Sequence, residues 1–308
     1  MEKQPEKITR RIYVSMPADK WLSDGQNRLK WAVVDEIKNI GYTPEIFTNP
    51  KRMPGLSSGK PWNARDAFEI ARCCSGAVII GLPRWQFQDA RFGVIDMPTD
   101  FCAYEGALAH AFSLPMLVLK QDTIDRRTIF DNSHGQYISV FKETDDEQWL
   151  REEDFLTGFY YWKEKLEARR DIFLGYSSGS KELAVLVKQY LEELEVTVLD
   201  WDTDFIPANS IMEQIKKAGS QCTGGIFLFT KDDNYSAKGK AKVFAPRDNV
   251  IFEAGYFIHA KDKSHVLIVR EEGAKMLADL GGDIYANLQQ KDNIESIKRT
   301  IKSFILNF

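Results

Sequence analysis

Two eight-residue segments constrain the fold of this chain more than any other feature. Pro98-Thr99-Asp100-Phe101-Cys102-Ala103-Tyr104-Glu105 and Pro246-Arg247-Asp248-Asn249-Val250-Ile251-Phe252-Glu253 share proline, aspartate, an aromatic residue and glutamate at the same offsets, 148 residues apart. Each follows a run with the character of a buried strand, Gly76 to Pro83 and Gly224 to Thr230, and each precedes another, Pro115 to Lys120 and His265 to Val269. A match at the same topological point argues for internal duplication. Since single hydrophobic cores usually stop growing at roughly 100–200 residues, a chain of 308 is expected to form two domains.

The local pattern agrees. Arg11 to Pro17 is a β-rich run ended by proline, and Asp24 to Ile40 places Leu29, Trp31, Ala32, Val33, Ile37 and Ile40 on one helical face before Gly41 closes it. Thr43 to Phe47 reads as a strand and Asn63 to Cys74 as a helix. Gly76 to Pro83 is apolar on every side, as strands of helix-covered parallel sheets are. A polar, aromatic loop then leads to a helix near Phe101 to Phe112. The order restarts with a strand from Asp171 to Ser177, a helix from Lys181 to Leu194, a strand from Val196 to Leu199 and helices near Ser210 to Ala218 and Asn249 to Ala260.

The fold class is therefore α/β, with two tandem flavodoxin-like or Rossmann-like domains over residues 1–142 and 171–308, each a doubly wound parallel sheet. Residues 143–170 are acidic at Asp145-Asp146-Glu147 and Glu152-Glu153-Asp154, then aromatic at Phe155, Phe159, Tyr160, Tyr161 and Trp162. They read as a helical connector whose aromatic residues pack rather than hold a cofactor.

Composition excludes several classes of function. A formal charge of −4 gives no electrostatic reason to bind a phosphate backbone, so nucleic acid is not the expected partner. The cysteines Cys73, Cys74, Cys102 and Cys222 have neither disulfide-framework nor zinc-ligand spacing, which points to a reducing compartment and no metal. Met1 to Lys7 lacks an apolar stretch of signal-peptide character, and no segment reaches the roughly 18 apolar residues that span a bilayer. A cytoplasmic protein without a membrane partner is expected.

In open α/β sheets ligands sit outside the carboxyl ends of the strands, at the switch in strand order. Glu105 and Glu253 each belong to a helix entered from that rim. A glutamate near a helix N-terminus is favoured by the macrodipole even without a function. Here, however, Cys102-Ala103-Tyr104 precede one and Val250-Ile251-Phe252 the other, a setting that suits a carboxylate only if it points into a pocket. Such a carboxylate suits cleavage of an N-glycosidic bond, because it stabilises or traps an oxocarbenium-like sugar. Nicotinamide leaves NAD+ as a neutral base without protonation, so one acidic residue suffices and neither metal nor added cofactor is required.

Three segments carry a resemblance: Ile172-Phe173-Leu174-Gly175, Ala245 through Ile258 with its Pro246-Arg247-Asp248-Asn249 entry to Glu253, and Leu280-Gly281-Gly282. From Asp171 onward the chain resembles the TIR domains of bacterial cyclic-nucleotide-triggered antiphage effectors, the group typified by TIR–STING fusions and Pycsar TIR effectors. The resemblance implies a flavodoxin-like domain that cleaves NAD+ to nicotinamide and ADP-ribose products once assembled into a homo-oligomer, with Glu253 as the catalytic glutamate. The first strand departs from many relatives, ending Leu174-Gly175-Tyr176-Ser177 where they have a His-Gly pair. The first domain more loosely resembles nucleoside 2-deoxyribosyltransferases, which Pro98-Thr99-Asp100 and Glu105-Gly106-Ala107 match in part. The effector architecture implies that this domain senses a nucleotide second messenger, with Asp100 and Glu105 as its candidate ligand site.

The remaining candidates are weighed against plainer roles. Ser177-Ser178-Gly179-Ser180 offers donors to a phosphate or simply caps a helix. Arg247, Asp248 and Asn249 are assigned to the substrate site beside Glu253. Trp201, in Trp201-Asp202-Thr203-Asp204-Phe205, stacks on a base or packs. Lys238-Gly239-Lys240-Ala241-Lys242 reads as a solvated run that can also attract a diphosphate. His110 and His259 follow the glutamates by five and six positions and so do not pair with them on a helix. Two alternatives to an NAD+ glycohydrolase stand: a non-catalytic nucleotide-binding receptor, and a nucleoside or nucleotide N-glycosidase working through Glu105.

Overall fold

A computed structural model of the chain describes residues 8–47, 61–134, 136–200, 210–235, 243–276 and 285–307. They form two compact units, Arg10–Ala168 and Arg169–Phe308, and the second also takes in Ile8, whose side chain packs on its core. Trp201 to Phe205, Lys238 to Lys242 and Leu280-Gly281-Gly282 lie outside the described residues.

The first unit runs β1 (Arg11–Ser15), α1 (Asp24–Asn39), β2 (Thr43–Glu45), α2 (Ala64–Arg72), β3 (Gly76–Gly81), β4 (Trp85–Asp89), β5 (Gly93–Met97), α3 (Asp100–Ala111), β6 (Met116–Gln121), β7 (Ile138–Phe141) and α4 (Glu153–Glu167). The second runs β8 (Arg170–Gly175), α5 (Lys181–Glu193), β9 (Val198–Asp200), α6 (Ile211–Gln221), β10 (Cys222–Phe229), β11 (Asp233–Tyr235), β12 (Val243–Ala245), α7 (Asp248–Lys261), β13 (Val266–Glu271), β14 (Tyr285–Leu288) and α8 (Glu295–Leu306). Among the described residues the main sheets are ordered β2-β1-β3-β6-β7 and β14-β13-β10-β8-β9, and all their pairings are parallel. Both are one winding, with the switch between the first and third strands of each unit.

Register makes the correspondence residue-specific. Tyr13 stands opposite Ala77 and Phe173 opposite Gly225. Ala77 and Gly225 are 148 residues apart, the same offset that separates Glu105 from Glu253. Tyr13 therefore corresponds to Phe173, and Ser15 to Gly175.

Alternation along each strand divides the core into two layers. In the first unit Ile12, Val14, Val78, Ile80, Leu117 and Leu119 face α1 and α4, while Tyr13, Ala77, Ile79 and Val118 face α2 and α3. In the second, Ile172, Leu174, Ile226 and Leu228 share a layer with α5 and α8, while Phe173, Phe227 and Phe229 pack with Val250, Ala254 and Phe257 of α7. The two glutamate-bearing helices thus cover equivalent sheet faces. Local signals fix the ends of α1: Ser23 and Gln26 form a reciprocal capping box, and Gly41 takes a φ of 86° just past the C-terminus.

Residues 143–170 differ from the expected connector. Trp149, Leu150, Phe155, Phe159, Trp162 and Leu166 are buried in the core of the first unit, and Trp162 Nε1 donates to the Pro115 carbonyl at 3.0 Å. The acidic stretch that suggested a linker is the solvent side and N-terminal flank of a core helix. Each sheet also has a fifth strand not expected from sequence, β7 and β14, short and buried on alternate residues only. The segment read as an aromatic loop forms the antiparallel ribbon β4–β5. Among the described residues no helix is long and apolar enough to cross a membrane.

Candidate functional site

Glu253 sits in the second turn of α7, on the buried side that Val250, Ala254 and Phe257 also occupy, and is 4% exposed. A carboxylate at that depth needs a polar or ligand-filled surrounding. It lines a cleft of about 430 Å³ at the carboxyl end of β8, together with Tyr176, Ser177, Ser178, Arg247, Asn249 and Val250. A small residue at the end of β8 is what lets the carboxylate reach that rim. A Cβ built on Gly175 would stand 2.9 Å from Glu253 Oε2 and 2.5 Å from Phe227 Cδ1.

The cleft wall is braced from behind. Thr230 Oγ1 donates to Asp232 at 2.9 Å, so the proton in its 2.5 Å contact with Ser180 comes from Ser180, and the 3.2 Å contact between Ser177 and Ser180 is donated by Ser177. The Ser177 hydroxyl is thereby committed as a donor to the protein and is left to accept from a ligand. Ser178 is exposed beside it. Tyr176 is fixed by donating to Asp200 at 2.6 Å, and Asp200 also pairs with Lys188 at 3.3 Å. Arg247 pairs with Asp233 of the β11–β12 ribbon at 3.0 Å and also lines the cleft.

Of the residues assigned to substrate from sequence, Ser177, Ser178, Arg247 and Asn249 share one cleft with Glu253. Asp248 does not line it. As the first residue of α7 it is exposed at the helix N-terminus, where its charge complements the helix dipole. Trp201 lies outside the described residues. Tyr176 also lines the cleft; the sequence marks this residue only as part of the departure Leu174-Gly175-Tyr176-Ser177, not as a site residue.

The equivalent place in the first unit is built differently. Glu105, 5% exposed on α3, accepts from the Tyr13 hydroxyl at 2.7 Å and from Trp62 Nε1 at 2.8 Å, both at Oε1. Burial pushes its pKa above the ordinary carboxylate range, against the opposing pull of hydrogen bonds from Ser15, Tyr13 and Trp62. The burial of Tyr13 and the charge of Glu105 push the tyrosine pKa upward in turn, so the phenol stays a donor. Glu105 lies on a cavity of about 460 Å³ whose lining includes Asp100, Phe47, Trp62, Phe101, Trp21, Arg84 and Trp85. Asp100 and Glu105, paired from sequence, thus share a cavity. Tyr13 supplies a hydroxyl to the first glutamate where the second unit has Phe173, a side chain with no donor.

Residues 171–290 match the model of a family described as CAP12/Pycsar effector protein, TIR domain. The chain is similar to CD-NTase-associated protein 12 of Flavobacterium daejeonense, at 36% identity over 112 residues, 36% of this chain and 35% of the relative. It is similar to the protein of the same name from Niabella drilacis, at 31% identity over 119 residues, 37% of this chain and 38% of the relative. The Pycsar effector protein BcPycTIR of Burkholderia cepacia is 27% identical over 114 residues, 36% of this chain and 37% of the relative. The chain thus spans less than two-fifths of the length of these three relatives, and the matched family segment falls wholly within the second unit.

Proposed function

From a TIR domain of the CAP12/Pycsar effector kind at residues 171–290, we propose that the protein is an NAD+ glycohydrolase effector of a bacterial antiphage defence system. The observation that carries this reading is Glu253 itself, a buried carboxylate opening on a cleft of about 430 Å³ at the strand switch, flanked by Arg247, Asn249, Ser177 and Ser178.

The chemistry follows from the charge. Nicotinamide in NAD+ is a cationic leaving group, and breaking its bond to C1′ transfers positive charge to the ribose. A fixed carboxylate in a site with little water stabilises that charge more strongly than solvent does. Water then attacks C1′, and its proton passes to solvent. In this reading Arg247 meets a phosphate of the diphosphate, and Asn249 and the accepting oxygen of Ser177 meet ribose hydroxyls; their shared cleft with Glu253 supports it.

The first unit acts as the regulator in this reading, sensing a nucleotide second messenger and permitting the TIR domains to assemble as a homo-oligomer. The names of the relatives, which link them to CD-NTases and to Pycsar, support a nucleotide trigger. A second reading, an N-glycosidase centred on Glu105, is favoured by the depth of that carboxyl and its two donors. One experiment separates the two. Purified full-length protein is incubated with NAD+ or with nucleosides, with and without cyclic nucleotides, and released base is followed. Nicotinamide release from NAD+ supports the first reading, and base release from nucleosides alone replaces it with the second.

A further inference from the structure

The function proposed above assigns the cavity of the first unit no step of NAD+ cleavage, and its walls have a chemistry of their own. At one end is Glu105, with Tyr13 and Trp62 donating to Oε1 and Ser15 beside it on the lining. The sides are aromatic: Trp62, whose ring lies 4.2 Å from that of Phe101, and Phe47. At the other end is Arg84, its guanidinium carbon 3.7 Å from the ring centre of Trp21 and 4.2 Å from that of Trp85.

The arginine is the decisive feature. Two indoles lie against the guanidinium, which restrains its plane and leaves its N–H edges to donate. Among the described residues it makes no salt bridge and donates no side-chain hydrogen bond. A cation held rigidly, half-buried at a cavity and without a carboxylate partner is prepared for an anion. Asp100, the other acid on the lining, is exposed at the start of α3 and suits a hydroxyl donor rather than a phosphate.

The geometry points to a mononucleotide site in residues 10–168, with the nucleobase among Trp62, Phe47 and Phe101, hydrogen-bond donors of the ligand on Glu105 and Asp100, and the phosphate on Arg84. This deepens the regulatory part of the function proposed above by naming the residues and the size of the signal. A volume of about 460 Å³ lies toward the small end of the roughly 300–1,000 Å³ of ligand pockets, the scale of a single nucleotide. The raised pKa of Glu105 is consistent with a buried carboxyl awaiting a donor.

The test is calorimetric titration of the full chain with 5′-monophosphates and 3′,5′-cyclic monophosphates of the four common ribonucleosides, the matched nucleosides, inorganic phosphate and a 3′,5′-linked dinucleotide. At least one mononucleotide is expected to bind at one site per chain, roughly tenfold or more tightly than its nucleoside, as a charge-assisted phosphate contact provides. Arg84→Ala should remove most of that preference and Arg84→Lys only part of it, each with an unchanged thermal midpoint. The proposal fails if nucleoside and nucleotide bind alike, if Arg84→Ala keeps the preference, if only the dinucleotide or free phosphate binds, or if none binds at millimolar concentration. NAD+ cleavage is measured separately, so failure here leaves the TIR reading standing and failure there leaves this site standing.

Discussion

Gly175 and Glu253 touch across the rim of the second sheet: a Cβ on the glycine would lie 2.9 Å from the Oε2 atom of the glutamate. The same Cβ would lie 2.5 Å from Phe227, which is packed against Phe173 and Phe257 at ring-centre distances of 5.8 and 5.4 Å and so has little room to yield. Gly175→Ala is therefore predicted to cost about 1–3 kcal/mol of stability through overpacking and to displace the carboxylate. NAD+ cleavage by the folded variant should fall by more than its melting curve explains. A variant that melts and cleaves like the wild type would show that this close approach has no role.

Glu105 carries a second prediction. Its carboxyl holds a proton more tightly in the folded chain than in the unfolded one, because burial raises its pKa. The associated stabilisation is complete below the unfolded pKa and is lost as pH rises through the folded value. Above that value an ionised carboxylate is buried at a cost. Glu105→Gln keeps the acceptor for Tyr13 and Trp62 without that cost. It should raise stability by on the order of 1 kcal/mol at about pH 8, with the gain shrinking toward about pH 4. Thermal melts of both proteins across that range decide it, and a difference that is constant or reversed with pH would refute the account.

These two glutamates were legible in the sequence because their surroundings repeat at a fixed offset and because a carboxylate after three apolar residues is anomalous. Their partners were not. Tyr13 and Trp62 lie 92 and 43 residues from Glu105 along the chain, and only the tertiary fold brings them together. Arg84 and Trp85 were hidden in a segment read as a loop, although Trp85-Gln86-Phe87-Gln88 alternates as a strand does and Gly93, with a φ of 77°, marks the returning turn. The supposed connector failed on a similar point. Phe155, Phe159, Trp162 and Leu166 recur at helical spacing and so form one buried stripe, a stronger signal than the acidic residues before them. Strands β7 and β14 are each four residues long and buried on one side, too short for alternation to separate them from loop.

Assembly supplies a third prediction. If TIR domains act only when brought together, NAD+ cleavage by the full chain without a nucleotide signal should rise faster than linearly with protein concentration. Initial rates over a hundredfold dilution series test this. A rate strictly proportional to concentration over that range would mean that each chain acts alone.

In the proposed mechanism the Glu253 carboxylate meets the developing charge on the ribose. Glu253→Gln keeps the shape of the side chain and removes that charge, so the loss of rate should be on the order of 10²–10³ or more. The most direct measurement is nicotinamide release from NAD+ by wild-type and Glu253→Gln protein at the same high concentration, with matched melting curves to show that both are folded. The wild type is expected to release nicotinamide, with a loss of that order in the variant. Equal rates from the two folded proteins would contradict this mechanism.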